Sequence, residues 1–106
     1  MVKVVLEHRT KSRENTKKLV KLIKNIRLQA RQQPGFITGE TLVDTEDPCH
    51  VIVISTWQSQ EDWKAWDNSP IRGESRPEIE DLLVEPFNAV ILPLPVVWRE
   101  DLVNVF

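Results

Sequence analysis

Between Cys49 and Pro70 the chain reads CHVIVISTWQSQEDWKAWDNSP, and this stretch constrains the fold more than any other. His50 to Trp57 has the composition of a strand, and its apolar residues fall on both faces. Side chains alternate along a strand, so Val51, Val53 and Trp57 point one way while Ile52 and Ile54 point the other. Such a strand is buried from both sides. At 106 residues the chain is one domain, and a four-stranded sheet of that size has helices enough to cover one face only. The second face then needs a partner.

The remaining elements follow from periodicity. Val2, Val4 and Leu6 alternate with Lys3 and Glu7, with His8 continuing the Val2 face, which predicts a first strand over residues 2–9. Leu19, Leu22, Ile23, Ile26 and Ala30 form one apolar stripe, predicting a helix from about Ser12 to Gln33 that Pro34-Gly35 stops. Phe36–Val43 and Cys49–Trp57 read as a hairpin around the polar turn 44–48. Ser59 is a helix N-cap with Asp62 three residues on, and Ser69-Pro70 starts a further helical segment to about Val84. Gly73 and Pro77 predict an interruption in that segment. Phe87 to Leu94 is the fourth strand, and residues 95–106 form an apolar tail expected to pack on the body or on a second subunit.

The order β-α-β-β-α-β predicts an α+β, ferredoxin-like domain over residues 1–94: a four-stranded antiparallel sheet with its helices on one face. Two such sheets facing each other would make a dimeric α+β barrel, so a homodimer is expected.

Composition narrows the function classes. The net charge is −2, which gives no global case for nucleic acid. The basic run from Lys3 to Arg31 lies largely on the first helix and reads as its solvated face. No apolar run approaches a membrane span, and Cys49 is the single cysteine, so neither a membrane nor a disulfide is expected and a cytoplasmic protein is the default. Cys49 and His50 have no second histidine or cysteine at metal-ligand spacing. As strand neighbours they point to opposite faces, which rules out a Cys-His catalytic pair.

The run Val53-Ile54-Ser55-Thr56-Trp57, followed by Ser59-x-Glu61-x-Trp63-x-x-Trp66-x-x-Ser69-Pro70, resembles the antibiotic biosynthesis monooxygenase (ABM) domain family, of dimeric α+β barrel fold. Pro34-Gly35-Phe36 is similar to that family's proline-glycine-aromatic turn, and the resemblance covers roughly residues 2–94. It implies an ABM-type monooxygenase that uses no metal or organic cofactor and acts on a small, flat, hydrophobic or aromatic molecule in a pocket between helices and sheet. An enolisable phenolic substrate would lose a proton, and its carbanion would pass an electron to dioxygen in a dry site. The alternatives are a non-catalytic dimeric ligand-binding module, or a haem-binding or haem-degrading protein. The haem-degrading branch carries an asparagine on strand one, a tryptophan on the helix after strand three, and a histidine ten residues beyond it. Here those positions hold His8, Trp66 and Arg76, and two departures of three point away from haem.

Five residues are the candidates for the site. His8, on the strand-one face that would line the cavity, could hydrogen-bond a substrate oxygen or accept its proton. Trp66, three residues after Trp63, could stack on a flat ligand from a cavity wall, and these two, His8 and Trp66, are the catalytic candidates. Trp63, Arg76 and Asn88 are the substrate-binding candidates. Arg72 and Arg76 are four apart and could present two guanidinium groups on one helix side, although pairing with acids such as Glu80 is the plainer reading. Asn88 would offer an amide from the fourth strand, towards either the pocket or the edge.

Overall fold

Alternating and helical periodicities become seven elements in the structure, a computed structural model that describes residues 1–93. In chain order these are β1 (Val2–Arg9), α1 (Arg13–Ala30), β2 (Phe36–Val43), β3 (His50–Trp57), α2 (Gln60–Asp67), α3 (Pro70–Glu80) and β4 (Asn88–Pro93). The strands form one antiparallel sheet in the order β2-β3-β1-β4, which with its helices is the expected ferredoxin-like α+β fold. Leu94 and the 95–106 tail lie outside the described residues.

Local chemistry sets the element ends. Ser12, Ser59 and Ser69 each cap a helix, their hydroxyls accepting from the backbone N–H of Asn15, Asp62 and Arg72. Gly35 turns the chain from α1 into β2 at φ +83°, a conformation L side chains avoid, and a Cβ there would also collide with the Asp62 carboxylate. In one place the structure departs from the sequence expectation: α3 runs unbroken through Gly73 and Pro77. Pro77 removes only the bond to the Gly73 carbonyl, and Ile79, 1% exposed, anchors the last turn in the core.

Strand register assigns every side chain to a face. Val2, Val4, Leu6 and His8 of β1 align with Trp57, Ser55, Val53 and Val51 of β3 on the helix-covered face. Two core clusters form there. Val2, Val4, Leu6, Ala30, Trp57, Trp63 and Trp66 make one; Leu19, Ile23, Val51, Ile79 and Leu83 make the other. Ile26, Val53 and Phe87 touch both. On the opposite face, Val5, Ile52 and Ile54 are half-buried, and Leu42, Val90 and Leu92 are exposed. No helix among the described residues is long and apolar enough to cross a membrane.

Candidate functional site

His8 is the last inward residue of β1, 2% exposed, with its ring against Phe87 at a centroid distance of 5.2 Å. Its Nδ1 lies 3.3 Å from the Val51 carbonyl oxygen across the β1–β3 ladder. A carbonyl can only accept, so in the neutral ring Nδ1 carries the proton and Nε2 keeps the lone pair. Burial pushes the His8 pKa down to about 4; the Val51 bond opposes the fall and the charge of Arg72 adds to it. Near neutral pH this imidazole is an acceptor at Nε2 and a reluctant base.

Beside it stands an aromatic wall. Trp57, fully buried at the end of β3, donates its indole N–H to Ser55 Oγ at 3.0 Å. Trp66 lies nearly parallel to it, at 25° and 6.5 Å, while Phe36 and Trp63 meet it edge-on. The spacing of three between Trp63 and Trp66 puts both on the inward side of α2.

α3 contributes Arg72, an arginine only 4% exposed. Its guanidinium carbon sits 5.7 Å from the Phe87 ring centroid, and Nη2 is 3.6 Å from Asp67 Oδ1. From α1 comes the half-buried Arg27, whose Nη2 donates to Thr41 Oγ1 at 2.6 Å and whose Nε would lie within 2.9 Å of a Cβ at Gly39.

These residues bound a cavity of about 50 Å³ between helices and sheet, where the two core clusters meet. His8, Trp57, Trp63, Trp66, Arg27 and Arg72 all line it. That volume holds a few water molecules. Arginine is the only formally charged residue type in the lining, and no described carboxylate shares it.

Three of the five sequence candidates, His8, Trp63 and Trp66, thus come together, and two do not. Asn88 pairs in register with Glu7 and is exposed on the opposite sheet face, because β4 is apolar in both phases and its register with β1 puts Ala89 and Ile91 on the helix side. Arg76 lies outside the cavity lining and binds Asp67 Oδ1 at 2.8 Å rather than Glu80, with Phe87 beneath it at 5.4 Å. Arg72, read from the sequence with Arg76 as an acid-paired helix arginine and left outside the five candidates, does line the cavity. Its position seven before Ile79, two turns along the same stripe, was the available signal.

A family model described as antibiotic biosynthesis monooxygenase matches residues 1–76, a span that contains every residue lining the cavity. The chain belongs to the antibiotic biosynthesis monooxygenase family. Three solved structures illustrate how far the ABM fold is kept. A monooxygenase from the gene ActVA-Orf6 of Streptomyces coelicolor, in complex with nanaomycin D, is 21% identical with a TM-score of 0.78; the match covers 93% of this chain and 92% of that one. SnoaB, a cofactor-independent oxygenase from Streptomyces nogalater, is 12% identical with a TM-score of 0.79, covering 93% and 97%. A conserved protein from Methanosarcina mazei Go1 is 16% identical with a TM-score of 0.81, covering 89% and 92%. At these identities the likeness is one of fold. A sequence search among curated proteins finds no match to this ABM chain.

Away from the cavity, a titratable cluster of the ABM domain centres on His50. His50 Nδ1 is 3.0 Å from Asp44 Oδ2 and Nε2 is 3.0 Å from Glu7 Oε1. Carboxylates accept at both ring nitrogens, so the imidazolium is favoured and the His50 pKa is raised, the Asp44 bond first among the causes. Among the described residues no three His, Cys, Asp or Glu side chains are grouped to hold a metal ion.

Proposed function

We propose that this chain is an ABM-type monooxygenase that oxidises a small, flat, aromatic molecule in the cavity between α1, α2, α3 and the sheet, without metal or organic cofactor. One observation carries the reading: in a chain of this family, a tryptophan-walled apolar cavity holds an imidazole whose Nε2 has no hydrogen-bond partner among the described residues. The ring would lie along Trp66, with Trp63 closing the wall. A phenolic O–H of the substrate would donate to His8 Nε2. Loss of the proton leaves a carbanion that reduces dioxygen by one electron; recombination and loss of water convert CH₂ and O₂ into C=O and H₂O. Proton transfer to His8 runs against its depressed pKa, and the substrate anion formed beside it offsets that cost.

Ligand pockets commonly enclose ~300 Å³ or more, so ring entry requires a wall to move. Arg27 is the movable part. It is half-buried and, among the described residues, held to the sheet by one side-chain bond, to Thr41, whereas Arg72 is locked between Asp67 and Phe87.

The open face of the sheet needs a second copy of the chain to exclude water from it. Val5, Leu42, Ile52, Ile54, Val90 and Leu92 form a continuous apolar surface on the side opposite the helices, which supports a homodimer through that face. The half-buried thiol of Cys49 fits a reducing compartment, and we place the protein in the cytoplasm.

The test is oxygen uptake by the purified protein with anthrone-like and hydroquinone substrates, alongside light scattering. Consumption of one O₂ per substrate, lost in His8→Phe, is the expected result. A second reading, a ligand-binding module without catalysis, is favoured by the low basicity of His8. A raised melting temperature with ligand but no oxygen uptake would select it.

A further inference from the structure

Arg72 carries more hydrogen-bonding capacity than its surroundings use. Nε and Nη2 are both buried, and among the described residues neither has a hydrogen-bond partner. The two atoms share one edge of the guanidinium, the edge that offers two parallel N–H groups to the two oxygens of a carboxylate. Asp67 does not satisfy it. Its Oδ1 lies 3.6 Å from Arg72 Nη2, beyond hydrogen-bond reach, and is engaged at 2.8 Å by Arg76. Two guanidinium groups therefore share one carboxylate, and positive charge is left over at the cavity wall. Arg27 adds a second cation to the lining, and no described carboxylate lines the cavity beside them.

We propose that the cavity is shaped for a planar aromatic carboxylic acid, whose carboxylate takes the Nε–Nη2 edge of Arg72 while its ring lies along Trp66 and Trp57. The inference rests on reading the cavity as the ligand site, and adds the ligand's charge and its anchoring group. Apolar walls alone accept any ring of suitable size. A buried guanidinium with two unused donors does not, because a neutral ring would leave both donors unpaired in a dry site. The anchor also fixes orientation. Two parallel hydrogen bonds hold the ring in one plane and one direction, which places a chosen ring position near His8, which like Arg72 packs on Phe87.

The test uses 2-naphthoate and its neutral counterpart 2-naphthamide, titrated calorimetrically and by tryptophan fluorescence into the full chain. Wild type is expected to bind the carboxylate roughly tenfold or more tightly than the amide, the scale of a charge-assisted pair. In Arg72→Gln the ratio should fall to within about threefold; Arg72→Lys, which keeps the charge but loses the fork, should lie between. Arg13→Gln, exposed on α1, should leave the ratio as in wild type and so excludes a non-specific charge effect. Equal binding of the two probes to wild type overturns the carboxylate assignment and leaves the cavity reading standing. So does a preference that survives in Arg72→Gln. Binding of neither probe overturns both. Should Arg72→Gln fail to fold, the wild-type ratio and Arg72→Lys decide the matter.

Discussion

Acidification is expected to weaken the fold through His8, and the size of the effect follows from its burial. The folded-state pKa is about 4 against an ordinary 6.5, so the unfolded chain binds a proton that the folded chain refuses. The sign is fixed by that order: the contribution is fully present above 6.5, falls as the pH drops, and levels out below about 4. Between about pH 7.5 and 4.5 the expected loss is ~2.5 kcal/mol. Carboxylates titrate in the same range, and His50 acts with the opposite sign, its raised pKa giving stability below 6.5 that is lost as the pH rises through the folded value. All of these are shared by a His8→Leu variant. Urea unfolding of both proteins at both pH values, at one protein concentration, isolates His8 as a double difference. Wild type should lose about 2.5 kcal/mol more than the variant on acidification. Proton NMR should find the His8 ring titrating near 4 and the His50 ring above 6.5. A double difference below ~0.5 kcal/mol, or a His8 midpoint near its ordinary value, would refute the claim that burial dominates this site.

Three further outcomes are expected. Gly35→Ala should destabilise by about 1–3 kcal/mol in denaturant titration, since φ +83° and the Asp62 carboxylate both resist a Cβ; an unchanged midpoint would mean that the turn relaxes freely. Ser59→Ala should cost about 1 kcal/mol, because the hydroxyl both caps the Asp62 N–H and donates to its carboxylate at 2.9 Å. Ile54→Lys, in the middle of the open sheet face, should make the proposed dimer a monomer in light scattering while circular dichroism stays that of the wild type; a dimer that persists would move the interface elsewhere.

Much of the fold is legible because the sequence states it twice. The α1 stripe from Leu19 to Ala30 is framed by a serine cap and a proline-glycine stop, and the structure keeps Ser12 as the cap and Ala30 as the last residue. The inward position of His8 was traceable because alternation in β1 leaves no freedom: if Val2, Val4 and Leu6 are inside, so is His8. The phase of β4 was not traceable. Ala89 and Ile91 compete with Val90 and Leu92, and only pairing with β1 decides that Asn88 faces outward. The burial of Arg72 was hidden for another reason. A charged residue on a short helix reads as solvated, and its burial depends on how the end of α3 is tied to β1, through the Lys11–Leu82 and Arg9–Val84 backbone bonds. Those contacts span some seventy positions, and local pattern does not reach that far.

The cavity opens at the boundary between two separately packed halves of the interior, and this has an evolutionary consequence. Leu19, Val51, Ile79 and Leu83 hold one half together without touching the chamber, so exchange of the wall side chains leaves that half intact. Selection can therefore retune what the chamber admits by altering a handful of positions on α1, α2 and α3, while the scaffold beneath is inherited unchanged.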